Sequence, residues 1–167
     1  MRSEGPTVYL EPKALYNQKE AMTSVPDDFE VPFGVARTRH AGLDLTVLTY
    51  GNTTHMCVTA AEKIKAELGK SVEVIDLRSL VPLDINAIQK SVKKTNRVLV
   101  VHEDKTFGGF GGELVAIINE HCFEYLDAPV LRVGSTNTPV GFNRILERAI
   151  LPDANKIEQA MKKMLKY

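Results

Sequence analysis

Apolar residues in this chain recur first with a period of two, then with a period of 3.6, and the alternation repeats along most of its length. Residues 45–49 form an apolar, β-branched run of the kind that fills a buried strand. Cys57, Ala60, Ala61, Ile64 and Leu68 then fall on one stripe of a helix predicted over 54–68, and Gly69 stands where a C-terminal cap belongs. A second unit follows: a strand over 72–77, then a helix carrying Ile85, Ile88 and Val92 that Asp84 is placed to N-cap, with Leu83 and Ile88 spaced as a hydrophobic staple. Val98, Leu99, Val100 and Val101 make the most continuously apolar run, which predicts an interior parallel strand covered on both faces. A glycine-rich loop leads to a helix through Leu114, Ile117 and Ile118, residues 129–133 read as a strand, and 155–165 as a last amphipathic helix.

Strands alternating with helices predict an α/β fold: three layers, α/β/α, around a mostly parallel five-stranded sheet. Residues 35–39 read as a short first strand. The hairpin-like join at Ala41-Gly42 makes it an antiparallel edge strand paired with the next. Ahead of it the pattern breaks. Thr7 to Leu10 reads as one short strand, but Pro12, Pro26 and Pro32 interrupt any longer element, so the first thirty-odd residues read as a tail or linker.

Composition narrows the function. Lys plus Arg equals Asp plus Glu, 21 against 21, so no net field attracts nucleic acid or an anionic membrane. The N-terminus has no apolar targeting segment, no run is long enough to span a bilayer, and the two cysteines form no disulfide framework, which together predict a cytoplasmic or otherwise intracellular protein.

Candidate chemistry gathers after the 98–101 strand, at His102-Glu103-Asp104-Lys105 and Phe107-Gly108-Gly109-Phe110-Gly111-Gly112-Glu113, because open α/β sheets bind ligands at the carboxyl ends of their strands. One reading makes His102 and Glu103 an acid/base pair beside a phosphate-cradling loop, in an independent small-molecule-binding domain. The loop, however, has Leu114 where a dinucleotide fingerprint needs its third glycine, and no Lys-Ser or Lys-Thr closes it as a P-loop. The other reading has both side chains bonding the loop backbone while the glycines admit a neighbouring surface. His40, His55 and His121 show no metal-pair spacing, and no serine or cysteine has the setting of a nucleophile. Asp76 and Arg78, two apart on an extended segment, point the same way, which suits them either to clamp a ligand or to staple a loop, and the loop-stapling reading is favoured. Residues 136–142 form a turn-rich surface segment.

In order along the chain, Val74-Ile75-Asp76-Leu77-Arg78-Ser79-Leu80-Val81-Pro82-Leu83-Asp84, Lys90-Ser91-Val92-Lys93-Lys94-Thr95, His102-Glu103, Gly108-Gly109-Phe110-Gly111 and Leu151-Pro152-Asp153 resemble the C-terminal domain of the beta subunit of pyruvate and branched-chain 2-oxoacid dehydrogenases, within the wider transketolase C-terminal domain family. The resemblance runs from about Val31 to the end. Thr7 to Tyr16 in turn resembles the last strand and exit loop of the pyrimidine-binding domain that precedes this one, so 1–33 is expected to be a remnant of that domain plus a linker, and 34–167 the transketolase C-terminal-like domain.

The resemblance implies an assembly domain: an oxidoreductase as part of the intact enzyme, inactive alone, with thiamine diphosphate and magnesium held elsewhere in that enzyme and no cofactor, metal or catalytic residue on this chain. Its implied partners are an alpha subunit, a twofold-related second beta subunit, and the dihydrolipoyl acyltransferase through its peripheral-subunit-binding domain. His102, Glu103, Phe107, Gly108, Gly109, Phe110 and Gly111 become candidates for the subunit interface, and Tyr167 with its carboxylate a candidate for acyltransferase docking. The segment at Asn137-Thr138-Pro139-Val140-Gly141 departs from the family, which usually begins it with aspartate and follows its proline with an aromatic; Asp104 stands where the family often has alanine.

Overall fold

The computed structural model describes residues 4–16, 18 and 24–167. Packing divides the chain into Met1–Glu30 and Val31–Tyr167. In the first unit the strand expected at Thr7 to Leu10 does not form: those residues are irregular, with Val8, Tyr9 and Leu10 exposed. A strand needs a neighbour to receive its backbone bonds, and this one has none among the described residues. A single 3-10 turn, Lys13–Leu15, follows.

The second unit holds five strands and five helices: β1 Arg37–His40, β2 Leu45–Thr49, α1 Thr53–Leu68, β3 Val72–Asp76, α2 Ile85–Thr95, β4 Val98–Lys105, α3 Gly111–Cys122, β5 Leu131–Ser135, α4 Arg144–Ile150 and α5 Ala154–Met164. The strand order is β1-β3-β2-β4-β5, with β1 antiparallel to β3 and every other pair parallel.

Alternation along the strands sorts the core into two layers. Leu45, Val47, Val72, Val74, Leu99 and Val101 meet Cys57, Ala60, Ala61 and Ile64 of α1 and Ile157, Met161 and Met164 of α5. On the other face Leu48, Ile75, Leu77, Val98 and Val100 meet Ile88 and Val92 of α2 and Leu114, Ile118 and Cys122 of α3. The expected α/β/α architecture is therefore present, with α1 and α5 opposite α2 and α3.

Caps fall where residue chemistry puts them. Gly69 ends α1 at φ 65°, and Asp84 starts α2 by accepting from the Ala87 N–H at 2.9 Å while its second oxygen takes the Ala36 N–H at 2.9 Å.

The first strand is an antiparallel edge strand, but not through a hairpin. β1 pairs with β3, and the chain passes beneath the start of β3 before entering the sheet as β2. Gly42 makes this passage possible: a Cβ there would stand 2.3 Å from the Glu73 nitrogen. The Leu43 and Asp44 N–H groups both reach the Ser71 carbonyl, at 3.3 and 2.9 Å.

Candidate functional site

The carboxyl end of β4 carries the residues singled out from sequence, and strand geometry separates them. Positions 98, 100 and 102 face α2 and α3; positions 99, 101 and 103 face α1 and α5. His102 and Glu103 thus point into opposite layers, and the acid/base pair is not formed.

The His102 side chain is 0% exposed. Its ring lies nearly parallel to that of Tyr50, with centroids 6.2 Å apart and 8° between planes, and Phe110 meets Tyr50 edge-on. Neither imidazole nitrogen has a hydrogen-bond partner among the described residues. Burial holds the His102 pKa below its ordinary value, with Asp104 opposing and Arg132 reinforcing the shift. Burial likewise pushes the Tyr50 hydroxyl up to about 12.

Glu103 joins three elements. Its Oε1 accepts from Asn52 Nδ2 at 2.9 Å, just before α1, and its carbonyl accepts from the Ser135 hydroxyl at the end of β5. Asp104 is exposed and accepts from the Lys105 N–H at 2.7 Å. The reading in which His102 and Glu103 bond the glycine loop backbone fails for both side chains; the fixed points there are Arg132 Nη1 donating to the Thr106 carbonyl at 2.7 Å and the Thr106 N–H on the Ser135 carbonyl at 3.1 Å.

The loop folds back on its own strand. A Cβ on Gly111 would stand 2.1 Å from His102 Nε2, so the missing side chain lets the first turn of α3 close over the imidazole. Phe110 is half-buried against the α2/α3 core, and Phe107 projects outward, 77% exposed. What the arrangement offers chemically is a sealed ring stack beneath a surface loop, rather than an open cleft lined by ionisable groups.

Elsewhere the sequence reading is refined. Asp76 and Arg78 do not lie on one extended segment, because Arg78 sits in the left-handed region at φ 60°. Asp76 Oδ1 instead accepts the Arg78 backbone N–H at 3.2 Å, which does staple the turn. His40 Nδ1 lies 2.7 Å from the Val72 carbonyl, a structural bond across the β1–β3 edge. Cys57 and Cys122 are both buried and unpaired, and burial raises the pKa of each. Tyr167 is 55% exposed. After β5, Val140, Phe142, Ile145 and Leu146 are exposed, and α4 buries no residue.

Comparison with known proteins gives this geometry its context. The family model "Transketolase, C-terminal domain" matches residues 34–157. The chain is 41% identical to the pyruvate dehydrogenase E1 component subunit beta of Porphyra purpurea, over 99% of this chain and 49% of that protein. It is 38% identical to the mitochondrial 2-oxoisovalerate dehydrogenase subunit beta of Dictyostelium discoideum, over 100% of this chain and 44% of that one, and 37% identical to its counterpart from Pseudomonas aeruginosa, over 99% and 50%. The chain thus spans about half the length of the curated relatives it matches. Among solved structures it resembles a split-gene transketolase described as an inactive beta4 tetramer, with TM-score 0.72 and 25% identity over 85% of this chain and 45% of that one. With the sheet order, the two helical layers and the matched residues in agreement, the chain belongs to the transketolase C-terminal domain family.

Proposed function

We propose that this chain is the C-terminal assembly domain of the beta subunit in the decarboxylating component of a 2-oxoacid dehydrogenase complex, and that it joins subunits instead of turning over substrate. The observation that carries this reading is the 37–41% identity to such beta subunits across 99–100% of the chain. The sealed setting of His102 supports it, since a catalytic imidazole has to reach substrate.

In the intact enzyme the reaction would be oxidative decarboxylation of a 2-oxoacid with acyl transfer to lipoamide. Thiamine diphosphate would supply the carbanion chemistry, with magnesium on its diphosphate. Following the resemblance to these beta subunits, thiamine diphosphate and its magnesium are assigned to other parts of the enzyme.

Phe107 is the proposed anchor toward the alpha subunit or the twofold-related beta subunit, with His102, Gly109, Phe110 and Gly111 shaping the loop from beneath and Glu103 fixing its base. Gly108, at φ 74°, supplies the bend beside Phe107. Tyr167 is the proposed contact for the acyltransferase's peripheral-subunit-binding domain. No helix among the described residues is long and apolar enough to cross a membrane.

The test is sedimentation of the chain alone and with the alpha subunit from the same source, beside calorimetric titration with thiamine diphosphate and common nucleotides. Association with no tight ligand uptake is expected. Failure to associate together with tight binding of a nucleotide would overturn the reading in favour of a ligand-binding domain.

A further inference from the structure

Three arginines collect around one carboxylate at the β1 edge of the sheet. Arg37 lies directly opposite Asp76 on the β1–β3 ladder, so the two side chains leave the same face within contact reach. The ladder shifts register between Thr38 and His40, which places Arg39 in a bulge, a device that re-aims a side chain. Arg78 follows two residues after Asp76. Its backbone is held at φ 60° by the Asp76 carboxylate, while Leu77 beside it is pinned by its N–H on the Thr49 carbonyl at 2.9 Å. A non-glycine residue kept in that region costs free energy, and such positions gather at ligand sites.

None of the three guanidiniums forms an ion pair among the described residues. Asp76 is the carboxylate that Arg39, Arg78 and Arg37 attract, while its own burial raises its pKa against that attraction. With Asp76 ionised, three positive charges against one negative leave a local excess of two. Arg37 and Arg39 are exposed and Arg78 half-buried, so solvent and small solutes reach all three. The place is the carboxyl end of the parallel strand β3, where the antiparallel edge strand β1 lies against it.

We propose that Arg37, Arg39 and Arg78 form a binding site for the phosphate dianion of a small phosphorylated ligand. A guanidinium presents a planar fork that matches phosphate oxygens two at a time, and three forks, two from β1 and one from the turn after β3, fit a tetrahedral anion better than a planar carboxylate. This site is independent of the assembly role, since it uses none of the residues proposed for subunit contact.

The test is an NMR titration of the isotopically labelled chain at constant ionic strength, with inorganic phosphate as probe and succinate as the carboxylate comparison. Phosphate is expected to move the backbone amide signals of residues 37–40 and 77–79 saturably, with succinate weaker. Arg39→Gln and Arg78→Lys are each expected to weaken phosphate by about tenfold, and Lys162→Gln, on α5, to leave it unchanged. Should Arg78→Lys not fold, Arg37→Gln and Arg39→Gln on the exposed edge strand decide the matter. Signal changes spread over all basic residues, succinate binding as tightly as phosphate, or full affinity in Arg39→Gln would each overturn the proposal.

Discussion

Gly111 presses its α-carbon against the His102 imidazole so closely that an added methyl would lie 2.1 Å from Nε2. The ring is fully buried and has nowhere to retreat. Gly111→Ala is therefore expected to destabilise the fold by about 2–3 kcal/mol through overpacking. Gly112→Ala, whose added carbon would meet only an Arg132 nitrogen at 3.4 Å, is expected to be neutral or stabilising by about 0.5–1 kcal/mol through helix propensity. Urea denaturation of the two variants checks the contrast; similar midpoints would refute it.

The same imidazole makes stability depend on acidity. Its folded pKa lies below the ordinary 6.5, so the unfolded chain takes up the proton first and binds more protons than the folded one. Stability should accordingly fall as pH drops from 6.5 toward the folded value, with this group contributing a slope of at most about 1.4 kcal/mol per pH unit. His102→Leu, which removes both nitrogens at similar volume, is expected to flatten that slope in thermal melts between neutral pH and pH of about 5. An unchanged slope would assign the acid sensitivity to other groups.

Asp84 has two duties where an ordinary cap has one, because it serves Ala87 on α2 and Ala36 ahead of β1. Asp153 caps only Lys156, in an exposed setting, at 2.8 Å. Asp84→Ala should cost about 2–3 kcal/mol and Asp153→Ala about 1 kcal/mol. Chemical denaturation of each variant reads the difference, and equal costs would mean that the Ala36 bond contributes nothing.

A buried polar network lies beneath α2. Ser91 donates to Glu73 at 2.7 Å and lies 2.6 Å from the Thr46 hydroxyl, which is itself 2.7 Å from that of Thr95, while Lys94 pairs with Glu73. Ser91→Ala would leave a buried carboxylate short of a donor, and a loss of about 1–3 kcal/mol is expected. Lys94→Gln, changing the more exposed partner, should cost less. The order of the two melting temperatures is the readout.

Phe107 and Phe110 are expected to separate association from stability. Phe107→Ala should weaken self-association in sedimentation while barely moving the melting temperature, whereas Phe110→Ala, half-buried against Tyr50, should cost about 1–2 kcal/mol. Loss of association in neither variant would remove the loop from the interface.

Much of this architecture was legible because it is local. The stripe of α1, the Gly69 cap and the Asp84 cap are set by residues within a few positions of each other. The hairpin expectation failed because the partner that explains Gly42 is Val72-Glu73, some thirty residues away, and no local pattern reveals it. α4 was missed because periodicity reports burial, and Arg144–Ile150 buries nothing. The burial of His102 was readable: the phase set by Val98 and Val100 carries position 102 inward, but a histidine at a strand end invites a chemical reading instead.

The strand order has a consequence for how the chain is made. β2, at the centre of the sheet, takes β3 on one side, but its other side waits for β4, which begins at Val98. While a ribosome is still adding the residues between, Leu45–Thr49 keeps one bare edge of five fully buried positions facing the cell. A product broken off before Val98 would therefore expose the middle of the native sheet as an adhesive rim, and its fate would be capture or clumping rather than a smaller folded protein.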